Sequence, residues 1–285
     1  MKVRTNLVKS GAAKEPNAKK RLGHHFLKDT GVLDRIVRWI EPTSAHVFIE
    51  IGAGTGALSI RLAEKAGALA AVELDADCIP ILEKTLAPFD SAAVVHADIL
   101  SLDLTYTVGE YLRQGKKLRL AGNLPYNIGT AIIEKMLRAD IPIEAMFFML
   151  QLEVAERILA QPETREYGVL TVLCRHKAEA RMGFKVSPAC FVPRPKVMSA
   201  VISLHPKPRD KNADWEDAFE ELVKACFAHR RKTLANSLSQ SVRFGGITGE
   251  LLEKAVINGT RRAESVSVSE YERLADIYTA DYQMT

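Results

Sequence analysis

An amide, a proline-fixed turn and a phenol stand side by side in Asn123-Leu124-Pro125-Tyr126. That set suits one kind of chemistry. An exocyclic amine on a nucleobase is a poor nucleophile because its lone pair is delocalised into the ring. It becomes competent when acceptors strengthen their hold on its N–H groups as positive charge grows on nitrogen. The Asn123 side-chain oxygen and the carbonyl of Leu124 or Pro125 are acceptors of that type. Tyr126 offers a ring on which a base can stack, in line with an electrophilic methyl. No general base is required, because the proton can leave after the new bond has formed. By itself Asn-x-Pro-x is also an ordinary turn sequence, so its meaning depends on the elements around it.

Those elements read as a nucleotide-binding sheet. Val47–Ile51 is an apolar strand, followed by Gly52, Gly54 and Gly56 and then by a helix with Leu58, Ile60, Leu62 and Ala63 on its apolar side. Glycines at a strand's carboxyl end allow a sharp turn and a close ligand approach. A second strand, Ala68–Leu74, ends in Glu73, 21 residues beyond Gly52. There a carboxylate can accept from both hydroxyls of a ribose. A third strand, Ala92–His96, is followed by Asp98, placed to accept from an adenine amino group or simply to cap a loop. Lys117–Ala121 is the fourth strand and runs into the Asn123 turn; Met146–Leu150 is the fifth.

Five alternations of strand and helix argue for a doubly wound, mostly parallel sheet. Ala180–Val186 and Val197–Leu204 add an antiparallel pair at its edge, joined through Phe191-Val192-Pro193-Arg194-Pro195. The expected architecture is α/β: a seven-stranded Rossmann-like sheet over residues 19–206, then a smaller all-helical domain over 207–285. Ahead of both lies an unstructured basic arm, residues 1–18. In the helical part, Trp215, Phe219, Leu222, Val223, Cys226 and Phe227 share a face.

Charge points to a polyanionic partner. The net charge is only +4, but residues 1–28 hold eight Lys or Arg against the single acid Glu15, which leaves the rest of the chain slightly acidic. A second basic run is Arg230-Arg231-Lys232. A solvated tail would account for the first run equally well. No stretch approaches the ~18 apolar residues of a membrane helix. Four unpaired-looking cysteines, Cys78, Cys174, Cys190 and Cys226, suggest a reducing, cytoplasmic setting and no metal site.

Taken together, Glu50-Ile-Gly-Ala-Gly-Thr-Gly56, Glu73, Asp98 and Asn123-Leu-Pro-Tyr126 resemble the S-adenosylmethionine-dependent methyltransferases that dimethylate adenine N6 in ribosomal RNA. Lys20-Arg21-Leu22-Gly23-x-x-Phe26-Leu27, Phe191-Val-Pro-Arg-Pro-Lys-Val197 and a helical Arg230-Arg-Lys-Thr-Leu-x-Asn236-Ser-Leu238 extend the match to most of the chain. The layout is most similar to the branch that modifies two adjacent adenosines near the 3′ end of 16S rRNA in the immature small ribosomal subunit.

The resemblance implies S-adenosyl-L-methionine contacts from His25, Leu27, Glu50, Gly52, Gly54, Gly56, Glu73, Leu74, Asp98, Ile99 and Asn123. It implies a target base held between Tyr126 and Phe191, with Asn123, Leu124 and Pro125 supplying the acceptors. RNA contacts fall to Lys19, Lys20, Arg21, Arg230, Arg231 and Lys232. No metal is implied, and the expected state is a monomer. One departure stands out: the family usually has Gln-Asn where this chain has His24-His25, although an imidazole can also donate one hydrogen bond. Three other readings share parts of the pattern. They are a large-subunit rRNA adenine methyltransferase, a methyltransferase-fold assembly factor without catalysis, and a nicotinamide oxidoreductase. The last leaves Asn123–Tyr126 unexplained.

Overall fold

A computed structural model of the chain describes residues 25–282. The expected arm at 1–18, and Lys19, Lys20, Arg21 and His24, lie outside the described residues. Nine strands are present among those described: β1 (Phe26–Leu27), β2 (His46–Ile51), β3 (Ala68–Glu73), β4 (Ala92–His96), β5 (Lys117–Asn123), β6 (Ile143–Gln151), β7 (Ala178–Val186), β8 (Phe191–Val192) and β9 (Ser199–Pro206).

Seven of them form one sheet in the order β4-β3-β2-β5-β6-β9-β7. The first five are mutually parallel, and β9 runs antiparallel to both β6 and β7. Every residue of β2 and β3 is buried. That is why these strands read as unbroken apolar runs: helices cover both of their faces. The strand order reverses between β2 and β5, and the crevice beyond the strand ends at such a reversal is where a ligand finds room. Glu50, Gly52 and Asn123 all sit there.

Local chemistry fixes the elements that reach this edge. Asp29 caps the helix Thr30–Ile40 by accepting from the Val32 N–H at 2.9 Å. Gly52, Gly54 and Gly56 take φ values of +70°, +55° and +91°, a region that L side chains rarely enter. A Cβ on Gly56 would also lie 2.8 Å from the Thr85 methyl. The loop is therefore committed to glycine by backbone and by packing alike.

The small sheet was not legible in the sequence. β1 pairs antiparallel with β8, matching Phe26 to Val192 and Leu27 to Phe191. Two-residue strands carry too little pattern to be read from periodicity. Their pairing brings the N-terminal segment against the Phe191 loop.

The helical region has its own core, built on Trp215, Phe219, Leu222, Val223, Tyr271 and Leu274. That core also takes in Ala160, Tyr167, Val172 and Leu173, and the Tyr167 hydroxyl donates to the Val266 carbonyl at 2.8 Å. The helical body is thus not made from residues 207–285 alone; it borrows the segment before β7. Arg230–Lys232 correct the sequence reading in a smaller way. They lie in a turn between the helices Ala213–Phe227 and Leu234–Leu238 rather than on a helix. All four cysteines are free thiols.

Candidate active site

Asn123 ends β5, and its side chain is held from one direction only. Its Nδ2 donates to the backbone carbonyl of His25 at 2.8 Å. A carbonyl can only accept, so this bond fixes which end of the amide points which way. The other end, Oδ1, is buried and has no hydrogen-bond partner among the described residues. A buried orphan acceptor carries a penalty of roughly 1–3 kcal/mol, and at a sheet's switch point it is the mark of a site awaiting a donor.

The rest of the turn falls into place around it. The Pro125 carbonyl accepts from Ile128 N–H at 3.2 Å, and the Leu124 N–H donates to Met149. Of the two backbone acceptors that the sequence offered, Leu124 keeps its carbonyl free among the described residues. Tyr126 is half-buried. Its hydroxyl shares a hydrogen bond of 2.6 Å with Ser199 Oγ, and its ring centroid lies 5.2 Å from that of His25. Burial raises the Tyr126 pKa, against the opposing hydrogen bond from Ser199. The ring is a neutral platform at any ordinary pH.

Two chambers meet at Gly52. The smaller, of about 50 Å³, lies against Phe26, Leu27, Glu50, Thr55, Asn123 and Met149. The larger, of about 240 Å³, is bounded by Glu73, Leu74, Asp98, Ile99, Leu100 and Pro125. Leu74 and Leu100 are 45% and 37% exposed and give this chamber an apolar wall. Asp98 Oδ1 accepts from Leu100 N–H at 2.9 Å, which leaves Oδ2 for an outside donor. The slot is apolar on its walls and acidic at its end, as an adenine requires.

Glu50 is the second orphan. Among the described residues its Oε2 is buried without a partner, as is the nearby Ser59 Oγ. Burial pushes the Glu50 carboxyl up to about 8, and the neighbouring Glu73 carboxylate adds to the rise. A carboxyl in that state favours a cationic ligand, whose arrival would restore its charge.

Two expectations need correction. Glu73 does not stand with both oxygens free for a ribose. Its Oε2 accepts from Gly54 N–H at 2.7 Å, and its Oε1 from Leu74 and Asp75 N–H, each at 2.8 Å. The buried carboxylate pins the glycine loop, with one of its four acceptor positions spare. Phe191 does not present an open face opposite Tyr126. It is 2% exposed and belongs to the core cluster that contains Leu27, because the β1–β8 pairing closes over it. His25 and Leu27 are brought to the Asn123 side of the site, whereas Arg230, Arg231 and Lys232 belong to the helical region and lie on its surface.

Lys135 escaped the sequence reading. Its Nζ donates to the carbonyls of Ile99, Leu100 and Leu102 at 2.9, 2.8 and 3.0 Å. It ties the helix that follows the Asn123 turn to the loop that carries Asp98. A lysine near the end of an amphipathic helix gives no sign of such a role, since basic residues favour that position anyway. Ser199 gives no sign of its role for a different reason: its partner Tyr126 is 73 residues away.

Three comparisons bear on what this arrangement is for. Residues 15–280 match the family model described as ribosomal RNA adenine dimethylase. The chain is 39% identical over 264 residues to the "Ribosomal RNA small subunit methyltransferase A" of Bacillus pumilus, covering 91% of this chain and 90% of that protein. It is 40% identical to the protein of the same name from Ligilactobacillus salivarius, over 90% of this chain and 89% of that one. Among solved structures, a dimethyladenosine transferase from Plasmodium falciparum superposes with a TM-score of 0.77 at 22% identity, over 90% of this chain and 98% of that one. The 23S rRNA methyltransferase ErmE gives 0.66 at 26% identity, over 88% and 98% respectively.

Proposed function

The chain belongs to the ribosomal RNA adenine dimethylase family, and we propose that it transfers methyl groups from S-adenosyl-L-methionine to N6 of two adjacent adenosines near the 3′ end of 16S rRNA. It would do so during maturation of the small ribosomal subunit, acting as a soluble monomer in the cytoplasm. Among the described residues no helix is long and apolar enough to cross a membrane. The observation that carries the reading is the buried Asn123 Oδ1, an acceptor that nothing among the described residues satisfies.

The residues present fit the methyl donor. Asp98, Ile99, Leu74 and Leu100 would hold its adenine in the larger chamber, and the spare acceptor position of Glu73 would take a ribose hydroxyl. Glu50, in the smaller chamber, suits its cationic end. When bound, S-adenosyl-L-methionine supplies an electrophilic methyl on a sulfonium sulfur. The protein's part is to make the amine attack. Asn123 Oδ1 and the Leu124 carbonyl each accept an N–H of the target amine, draw electron density toward nitrogen, and stabilise the positive charge that develops there. Tyr126 holds the base plane, with its hydroxyl fixed on Ser199. Reaching that geometry requires the adenosine to leave its stack. For Phe191 to line its other face, the β1–β8 cover must first give way.

The large-subunit reading rests on a 26% likeness to ErmE, against 39–40% to the small-subunit proteins over nine-tenths of the chain. The test is mass mapping of adenosines in immature small subunits and in 23S rRNA after incubation with the protein and labelled S-adenosylmethionine. Two dimethylated neighbours in 16S rRNA are expected. Label confined to 23S rRNA would reverse the assignment, and label in neither would remove it.

A further inference from the structure

The loop from Val192 to Met198 is held at both ends by the catalytic turn. On the entering side, His25 Nδ1 bonds the Pro193 carbonyl at 2.8 Å, while the His25 carbonyl receives Asn123 Nδ2, also at 2.8 Å. On the leaving side, Ser199 Oγ shares its 2.6 Å bond with Tyr126, and the Met198 carbonyl accepts from Leu152 N–H at 2.9 Å. Anchored in this way, the loop carries Arg194 and Lys196 outward. Both are exposed and, among the described residues, form no ion pair. Beside them, Val197 and Met198 stay 45% and 37% exposed.

Other cations near the two chambers are committed: Arg61 pairs with Asp34 and donates to the Ala57 carbonyl, and Lys135 is used on three carbonyls. Two uncommitted cations two residues apart, next to uncovered apolar side chains, make a surface for a strand with charged phosphates and flat bases. A membrane or an acidic protein would also meet the charge. The hydrogen-bonded link to Asn123 and Tyr126, however, places the surface where the nucleotides flanking a displaced adenosine must lie.

The geometry points to the Val192–Met198 loop as a docking surface for the single-stranded RNA on either side of the target adenosine, with Arg194 and Lys196 on its phosphates and Val197 and Met198 against its bases. This deepens the proposed function and rests on it. The loop fixes the strand, and its two anchors fix the turn that acts on the base between.

The test compares wild type with Arg194→Gln/Lys196→Gln on immature small subunits. Losing two phosphate contacts should raise KM for the particles roughly 10-fold or more and reduce the salt slope of RNA affinity by about two. The affinity for S-adenosylmethionine and the kcat at saturating particles should stay within about 3-fold of wild type. A second variant, Val197→Ser/Met198→Ser, should raise KM while leaving the salt slope unchanged. A wild-type KM and salt slope in the charge variant would overturn the docking surface, and so would a KM that rises with no change in slope, which would indicate a protein contact instead. Failure of the underlying reading looks different: wild type itself would place no methyl in 16S rRNA.

Discussion

Asn123 Nδ2 donates to the backbone carbonyl of His25 at 2.8 Å, and that single bond aims the buried Oδ1 of the same amide into the site. The donor half of the side chain is structural and the acceptor half is chemical. Asn123→Asp keeps the size but sets a carboxylate oxygen against the His25 carbonyl, so the side chain must turn or protonate. Asn123→Ala removes the acceptor and spares the repulsion. Both should lower kcat by about 100-fold or more, the usual consequence of losing one preorganised partner of a developing charge. Neither should greatly change the melting temperature. Single-turnover methyl transfer measures this, and an alanine variant within 10-fold of wild type would remove Asn123 from the chemistry.

Lys135 connects the two halves of the site at a distance from both. Three carbonyls of the Ile99–Leu102 segment converge on its Nζ. Lys135→Met should free that segment and with it Asp98, raising the Kd for S-adenosylmethionine roughly 10-fold, about 1.4 kcal/mol. The kcat at saturating donor should change little, and Lys135→Arg should recover part of the loss. Amide exchange at residues 98–102 should quicken. Equal losses in kcat and in donor affinity would mean that the lysine merely supports the fold.

Glu50 gives the donor affinity a pH dependence. Its carboxyl titrates near 8 in the ligand-free protein, mainly because it is buried. Below that pH it is neutral and offers a cation little; above it the charge is present. Affinity for S-adenosylmethionine should therefore climb as pH rises toward 8 and then level off, with proton release on binding at pH 7. Stability of the free protein runs in the opposite direction. A carboxyl raised above its unfolded value contributes stability that is complete below that value, near 4.5, and is lost as pH rises through 8. Glu50→Gln should flatten both curves, which calorimetry in buffers of different ionisation enthalpy can measure. An unchanged pH profile in that variant would place the titration elsewhere.

The parallel sheet and its glycine loop could be read from sequence because burial on both faces writes an unmistakable apolar run into β2 and β3. Asp98 and Asn123 were legible because a strand's end is a position that sequence can count to. What stayed hidden were pairings between residues far apart in the chain: Phe26 with Val192, Tyr126 with Ser199, and Lys135 with the loop at 99–102. Glu73 shows a different limit. Its position was readable, but its engagement by three backbone N–H groups depends on how the Gly54 loop curls, which no residue count contains. Phe191 was placed beside the base by its motif, and the fold buried it under a strand too short to see.

His176, on the helix Val169–Lys177 that leads into β7, is tied through charge to two helices of the helical region, Ala213–Phe227 and Val268–Asp281. Its Nδ1 lies 2.8 Å from Glu272 and its Nε2 3.2 Å from Glu216, and the ring packs on Trp215 and Phe219. Lys177 also binds Glu216. Burial alone would lower the His176 pKa, but the bonds to Glu216 and Glu272 outweigh it and the net shift is upward. Glu216 is held down near 2: burial opposes that shift, and His176 and Lys177 prevail. A histidine raised above its unfolded value of 6.5 contributes stability that is complete below that pH and fades as pH rises through the folded value. The helical region should hence hold most firmly in mild acid and loosen in the alkaline range, while the contribution of Glu216, complete above its unfolded value of 4.5, is lost as pH falls through about 2. His176→Gln keeps a hydrogen-bond donor and loses the charge. Its melting temperature should fall below wild type by several degrees at pH 6, with the gap closing by pH 9. A gap of constant size across that range would show that the imidazole acts by packing on the two aromatic rings rather than by its charge.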